Sequence, residues 1–132
     1  MTKKEAVQIL AILKAAYPSS YNGMTKEEAN GTVSIWAMQF ADMPADIVMM
    51  AVHKLISSCK FPPSVAEVKD KIKSIHWETY DLISGGKGFI SEDLKQKYQR
   101  IYEATADYKY GKGHEPKVLQ MVSHQARLGS GE

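Results

Sequence analysis

Trp36-Ala37-Met38-Gln39-Phe40, then Asp42-Met43-Pro44, then Ile47-Val48-Met49-Met50-Ala51-Val52, and finally Phe61-Pro62-Pro63-Ser64-Val65-Ala66-Glu67: this stretch decides the fold. Its first segment places Trp36 and Phe40 four residues apart, on one face of a helix. Asp42 is positioned to cap the next helix, with Pro44 in the first turn, where a missing amide does no harm. Ile47 to Val52 is apolar on nearly all sides, unlike a surface helix, so the third helix is expected at the centre of the fold. Phe61-Pro62-Pro63 breaks the chain again, because each proline fixes its own φ and holds the preceding residue out of the α region. Ser64 with Glu67 is a capping box that opens a fourth helix.

The same start signal recurs upstream. Thr2 pairs with Glu5, and Ala6, Ile9, Leu10, Leu13, Ala16 and Tyr17 follow at helical spacing until Pro18. Thr25 pairs with Glu28, and Ala29, Val33, Trp36, Ala37 and Phe40 form the inner face of helix two. Gly31 weakens the middle of that helix, and a close helix crossing is the expected reason for it. Downstream, Val65, Val68, Ile72 and Ile75 form the stripe of helix four, which runs on through Trp77 to Ile83. Ser91, followed by Glu92 and Asp93, starts a fifth helix whose inner face is Leu94, Tyr98, Ile101, Tyr102 and Thr105. No stretch alternates as a strand does. The fold class is all-α: a bundle of about five helices over residues 1–110, followed by a flexible tail over 111–132. The expected core is Trp36, Phe40, Val48, Val52, Leu55, Phe61, Val65, Val68 and Ile72.

Composition narrows the function. The 132 residues are 44% hydrophobic and 24% charged, with a net charge of +2. That is a globular composition, long enough for one core, and short of the strong positive charge of a dedicated nucleic-acid domain. One cysteine, Cys59, excludes an internal disulfide. No secretory leader or membrane-spanning run is read, so a cytoplasmic protein is expected.

Catalytic patterns are absent. His53, His76, His114 and His124 have no partners at metal-ligand spacing, and His53 with Cys59 matches no zinc pattern. Gly85-Gly86-Lys87-Gly88 lacks the upstream glycine, the following Ser or Thr and the preceding strand of a phosphate loop. No nucleophile–base arrangement is found, so no enzyme, catalytic residue, metal or cofactor is expected. Helices three and four resemble a helix-turn-helix only in outline. A recognition helix reads bases with its N-terminal residues, and Ser64, Val65, Ala66 and Glu67 bring no positive charge. Sequence-specific DNA binding is therefore not expected.

Protein binding is what remains. Met38, Met43, Met49, Met50 and Met121 are many for so short a chain, and methionine adapts to irregular partners. Met49 and Met50 are neighbours that point in different directions, so they form a candidate docking surface on the domain. The sharper candidate is the tail cluster Val118, Leu119, Met121 and Val122, reached through Gly111 and Gly113. Such segments fold on partners.

The N-terminal half resembles the small phage replication proteins that load and inhibit the replicative helicase, known from phages of Gram-positive bacteria. The resemblance rests on Thr2-Lys3-Lys4-Glu5-Ala6 with Ile9-Leu10, Tyr17-Pro18, Trp36 and Phe40, Pro44, Val48, Ala51-Val52, Leu55, and Phe61-Pro62-Pro63-Ser64-Val65-Ala66-Glu67. It implies a monomeric adaptor in the host cytoplasm that binds the hexameric replicative helicase, holds it inactive and delivers it to an origin marked by the phage initiator. It also implies that the tail contacts the helicase, and that Trp36, Phe40, Phe61, Pro62, Pro63, Ser64 and Glu67 are mainly structural. The alternative is a small helical DNA-binding protein of the phage replication module.

Overall fold

Helix α3, Ala45–Ile56, is the middle of the structure. It buries Ile47, Val48, Ala51, Val52 and Leu55, the first four of them completely. In this computed structural model, residues 1–84 and 91–108 are described. The described residues form five α-helices and no strand.

Local signals start most of the helices. In α1, Lys3–Ala16, the Thr2 hydroxyl accepts from the Glu5 amide and the Glu5 carboxylate accepts from the Thr2 amide at 2.9 Å. A short 3₁₀ turn, Pro18–Tyr21, follows where proline ends the helix. Helix α2, Lys26–Gln39, is capped by Thr25, which accepts from the Glu28 amide. The return contact differs from a full capping box: the Thr25 hydroxyl donates to the Glu28 carboxylate instead. Helix α4, Val65–Ile83, carries the complete Ser64–Glu67 box, with bonds of 3.1 and 3.2 Å. Helix α5, Glu92–Ala104, is capped by Ser91 and followed by a 3₁₀ turn, Ala106–Tyr108.

The helices pack in a chain. Helix α2 lies on α1, α1 also touches α3, α3 packs on α4, and α4 carries α5 and the final turn. One core runs through this arrangement: Ala6, Ile9, Leu10 and Leu13 of α1, Val33 and Trp36 of α2, then Phe40, the α3 residues, Val68, Ile72 and Ile75 of α4, and Ile101 of α5. The Trp36 and Phe40 rings lie 5.6 Å apart, within the range of favourable aromatic pairs.

Helix α5 is attached differently. Besides the buried Ile101 and the partly buried Tyr98 and Ala104, polar and aromatic contacts hold it. His76 Nδ1 is 2.9 Å from the Thr105 hydroxyl, and the His76 ring stacks on Tyr102 at 4.5 Å. At the far side, Arg100 makes a bidentate pair with Asp46 in the first turn of α3, at 3.0 and 3.2 Å. That guanidinium holds the Asp46 carboxyl below the usual carboxylate range.

Five expectations need correcting. Phe61 is not core: it is 70% exposed. Its connector is anchored by neighbouring groups, so the ring is left outside. Val65 is only half-buried, at the edge of the core where α4 begins. Asp42 does not cap α3; Pro44 occupies the cap position, and no side chain bonds there. Gly31 marks no close crossing, since a methyl group added to it would meet nothing within 4 Å. Leu94 falls outside the inner face of α5, at 44% exposure.

Candidate docking surface

The connector between α3 and α4 is built by hydrogen bonds on both sides of one aromatic residue. As α3 ends, the Ser58 and Cys59 amides both donate to the Leu55 carbonyl, at 3.1 and 2.7 Å. The Cys59 carbonyl then accepts from the Tyr17 hydroxyl at 2.8 Å, which ties the connector to the end of α1. Desolvation at that site pushes the Tyr17 phenol above its usual pKa. On the other side Pro63 is buried and Pro62 half-buried. Ser64 and Glu67 then close the start of α4.

Phe61 projects from this braced segment, and the Lys60 ammonium lies 5.8 Å from the centre of its ring. That is cation–π distance. Leaving a phenylalanine outside forgoes about 1.5–3 kcal/mol of burial. Single exposed apolar residues are common on protein surfaces. This one is carried on a backbone fixed at both flanks. Hydrophobicity alone misplaced Phe61. The available signal was its position as the one aromatic residue in a polar connector, beside Lys60 and ahead of two prolines.

Other apolar groups face solvent on α2, where Ile35 is 55% and Met38 72% exposed. They are one helical turn apart, so they share a face. The remaining methionines go elsewhere. Met43 is buried, and both Met49 and Met50 are half-buried against the core, so only part of each faces outward. The tail residues Val118, Leu119, Met121 and Val122 lie outside the described residues, as does the Gly85–Gly88 loop.

A concavity of about 180 Å³ lies along the seam of α4 and α5, lined by Tyr80, Ile83, Ser84, Gln99 and Tyr102. Its aromatic wall continues inward, with Trp77 against Tyr80 at 5.8 Å and Tyr80 against Tyr102 at 6.0 Å. The Gln99 amide is occupied by Glu103 at 3.0 Å.

The polar groups at the start of α4 are engaged locally. Ser64 and Glu67 satisfy each other's amides. The Lys69 ammonium donates to the Gln39 side chain at 2.8 Å and lies over the Phe40 ring. Among the described residues, no three His, Cys, Asp or Glu side chains gather as a metal site would require. No described helix is long and apolar enough to cross a membrane. Of the family-pattern residues, Trp36, Phe40 and Pro63 are buried, Ser64 and Glu67 are exposed and form a cap, and Phe61 is the aromatic one left exposed.

A family model for the N-terminal domain of the phage gene 39 protein matches residues 1–69. The match spans α1, α2, α3, the Phe61 connector and the first turn of α4. Comparison with curated proteins and with solved structures gives no match.

Proposed function

We propose, from the premise that this chain belongs to the family of the phage gene 39 protein N-terminal domain, a family of helicase inhibitors and loaders, that it is a non-enzymatic adaptor of phage DNA replication. In this reading it binds the hexameric replicative helicase, holds it inactive and delivers it to the origin through an initiator protein. The family match over residues 1–69 is the observation that carries the reading.

Such an adaptor works by differential affinity. It must grip one state of the helicase and lose that grip when initiator and DNA favour another state. A braced helical domain suits the task, because it presents contacts without having to order itself first. The tail supplies the rest of the grip. On the helicase, the segment from Pro116 would form a short helix, with Val118, Met121, Val122 and Gln125 on one face and Leu119 at its edge. Ordering so short a segment costs a few kcal/mol, so affinity must rest on a few apolar anchors.

The test is capture of the cognate replicative helicase by the full chain, with and without ATP. Binding is expected, together with slowed ATP hydrolysis by the helicase. Leu119→Ala combined with Val122→Ala should weaken it at least tenfold, about 1.4 kcal/mol. No helicase binding in either nucleotide state would refute the adaptor role. Tight duplex or single-strand binding that falls steeply with salt would identify a DNA-binding protein instead.

A further inference from the structure

A docking anchor is effective when it is large, apolar and already held in place, because little conformational freedom is then lost on binding. Phe61 has these properties. Its ring is 70% exposed. The preceding backbone is pinned to α1 by the Tyr17–Cys59 bond and to α3 by the bonds to Leu55. The following backbone is stiffened by Pro62 and Pro63, and ends in the Ser64–Glu67 box.

Within the connector the charge is one-sided. Between Lys54 and Glu67 the sequence contains a single charged residue, Lys60. Lys54 is paired with Glu78 at 3.5 Å, and the Glu67 carboxylate is turned to the Ser64 amide. Lys60, by contrast, reaches over the ring of Phe61. The corner therefore offers one aromatic group and one cation. Its complement is an apolar pocket with a carboxylate on its rim.

We infer that the Lys60–Phe61 corner is a second helicase-docking element, in which Phe61 enters an apolar pocket of the helicase and Lys60 meets an acidic side chain at its edge. The inference rests on the adaptor reading above. The corner falls inside residues 1–69, the part of the chain that matches a helicase inhibitor/loader family, whereas Val118–Val122 falls outside it. Two separate weak contacts, joined by a linker, would then bind more tightly than either alone.

The experiment titrates full-length wild type and variants against the cognate helicase with ATP. Phe61→Ala should weaken binding at least tenfold and leave the melting temperature unchanged, because the side chain lies outside the core. Phe61→Leu should retain part of the affinity. Lys60→Glu should weaken binding more than Lys60→Ala, and the difference should shrink as salt rises. Helicase binding by Phe61→Ala within twofold of wild type overturns the inference and leaves the adaptor reading standing. The same holds if Phe61→Ala loses only initiator binding, or only self-association detected by sedimentation. Absence of helicase binding by the wild-type chain refutes both.

Discussion

Thr105→Val removes one hydroxyl and keeps the shape of the side chain. Thr105 is fully buried. Its hydroxyl carries a single proton, and the Ile101 carbonyl lies 2.7 Å away, with the Tyr102 carbonyl at 3.2 Å. If that proton goes to a carbonyl, the hydroxyl oxygen accepts from His76 Nδ1–H at 2.9 Å. Valine cannot accept it. The Ile101 carbonyl loses little, since it keeps the Thr105 amide at 3.0 Å. The cost is the buried His76–Thr105 hydrogen bond, at about 1–3 kcal/mol. Against the roughly 5–15 kcal/mol that stabilises a domain of this size, that is a substantial share. Urea and thermal unfolding followed by far-UV circular dichroism measure it, and each 1 kcal/mol should lower the melting temperature by about 3–5 °C. Fluorescence should also respond, because Trp77 meets the His76 ring edge-on at 5.1 Å. In the wild type, the Nδ1 proton should be visible by NMR and slow to exchange. A Thr105→Val variant as stable as wild type, or a rapidly exchanging Nδ1 proton, would refute this account of how α5 is held.

Trp36→Ala should cost about 3–5 kcal/mol in chemical denaturation, since a large aromatic, 8% exposed, is truncated beside Phe40. Gly31→Ala should stabilise by about 0.5–1 kcal/mol, because the added methyl meets nothing and alanine favours the helix; a fall in melting temperature would contradict this. Asp46→Asn should cost only about 0.2–1 kcal/mol at neutral pH, as both partners are more than half exposed. The Asp46 carboxyl is held below its ordinary value of 3.8, chiefly by hydrogen bonding to Arg100. Its contribution is thus present above pH 3.8 and lost as pH falls through the lower folded value, so melts of Asp46→Asn and wild type should converge on acidification.

Elements whose causes lie within a few residues are legible in the chain directly. Thr2 with Glu5 and Ser64 with Glu67 are bonds between residues three apart, so their spacing reports helix starts directly. The period of Ile9, Leu10 and Leu13, or of Val68, Ile72 and Ile75, marks the buried stripe before any partner is known. The apolar density of Ile47–Val52 similarly placed α3 at the centre. The family pattern was legible for the same reason, because it is written in these local signals.

Contacts between residues far apart in the chain emerge only once the helices are packed. Periodicity says that a face is buried but not against which helix. The attachment of α5 adds to the buried Ile101 the contacts of His76 with Thr105, 29 residues apart, and of Arg100 with Asp46, 54 apart. Hydropathy assigns phenylalanine to the core, yet Phe61 stays outside, on a connector tied to α1 by Tyr17, 42 residues before Cys59. Gly31 suggested a crossing that the packing of α2 on α1 does not use. In each case the deciding contact joins groups that no pattern within one helix relates, and its energy arises only when the helices meet.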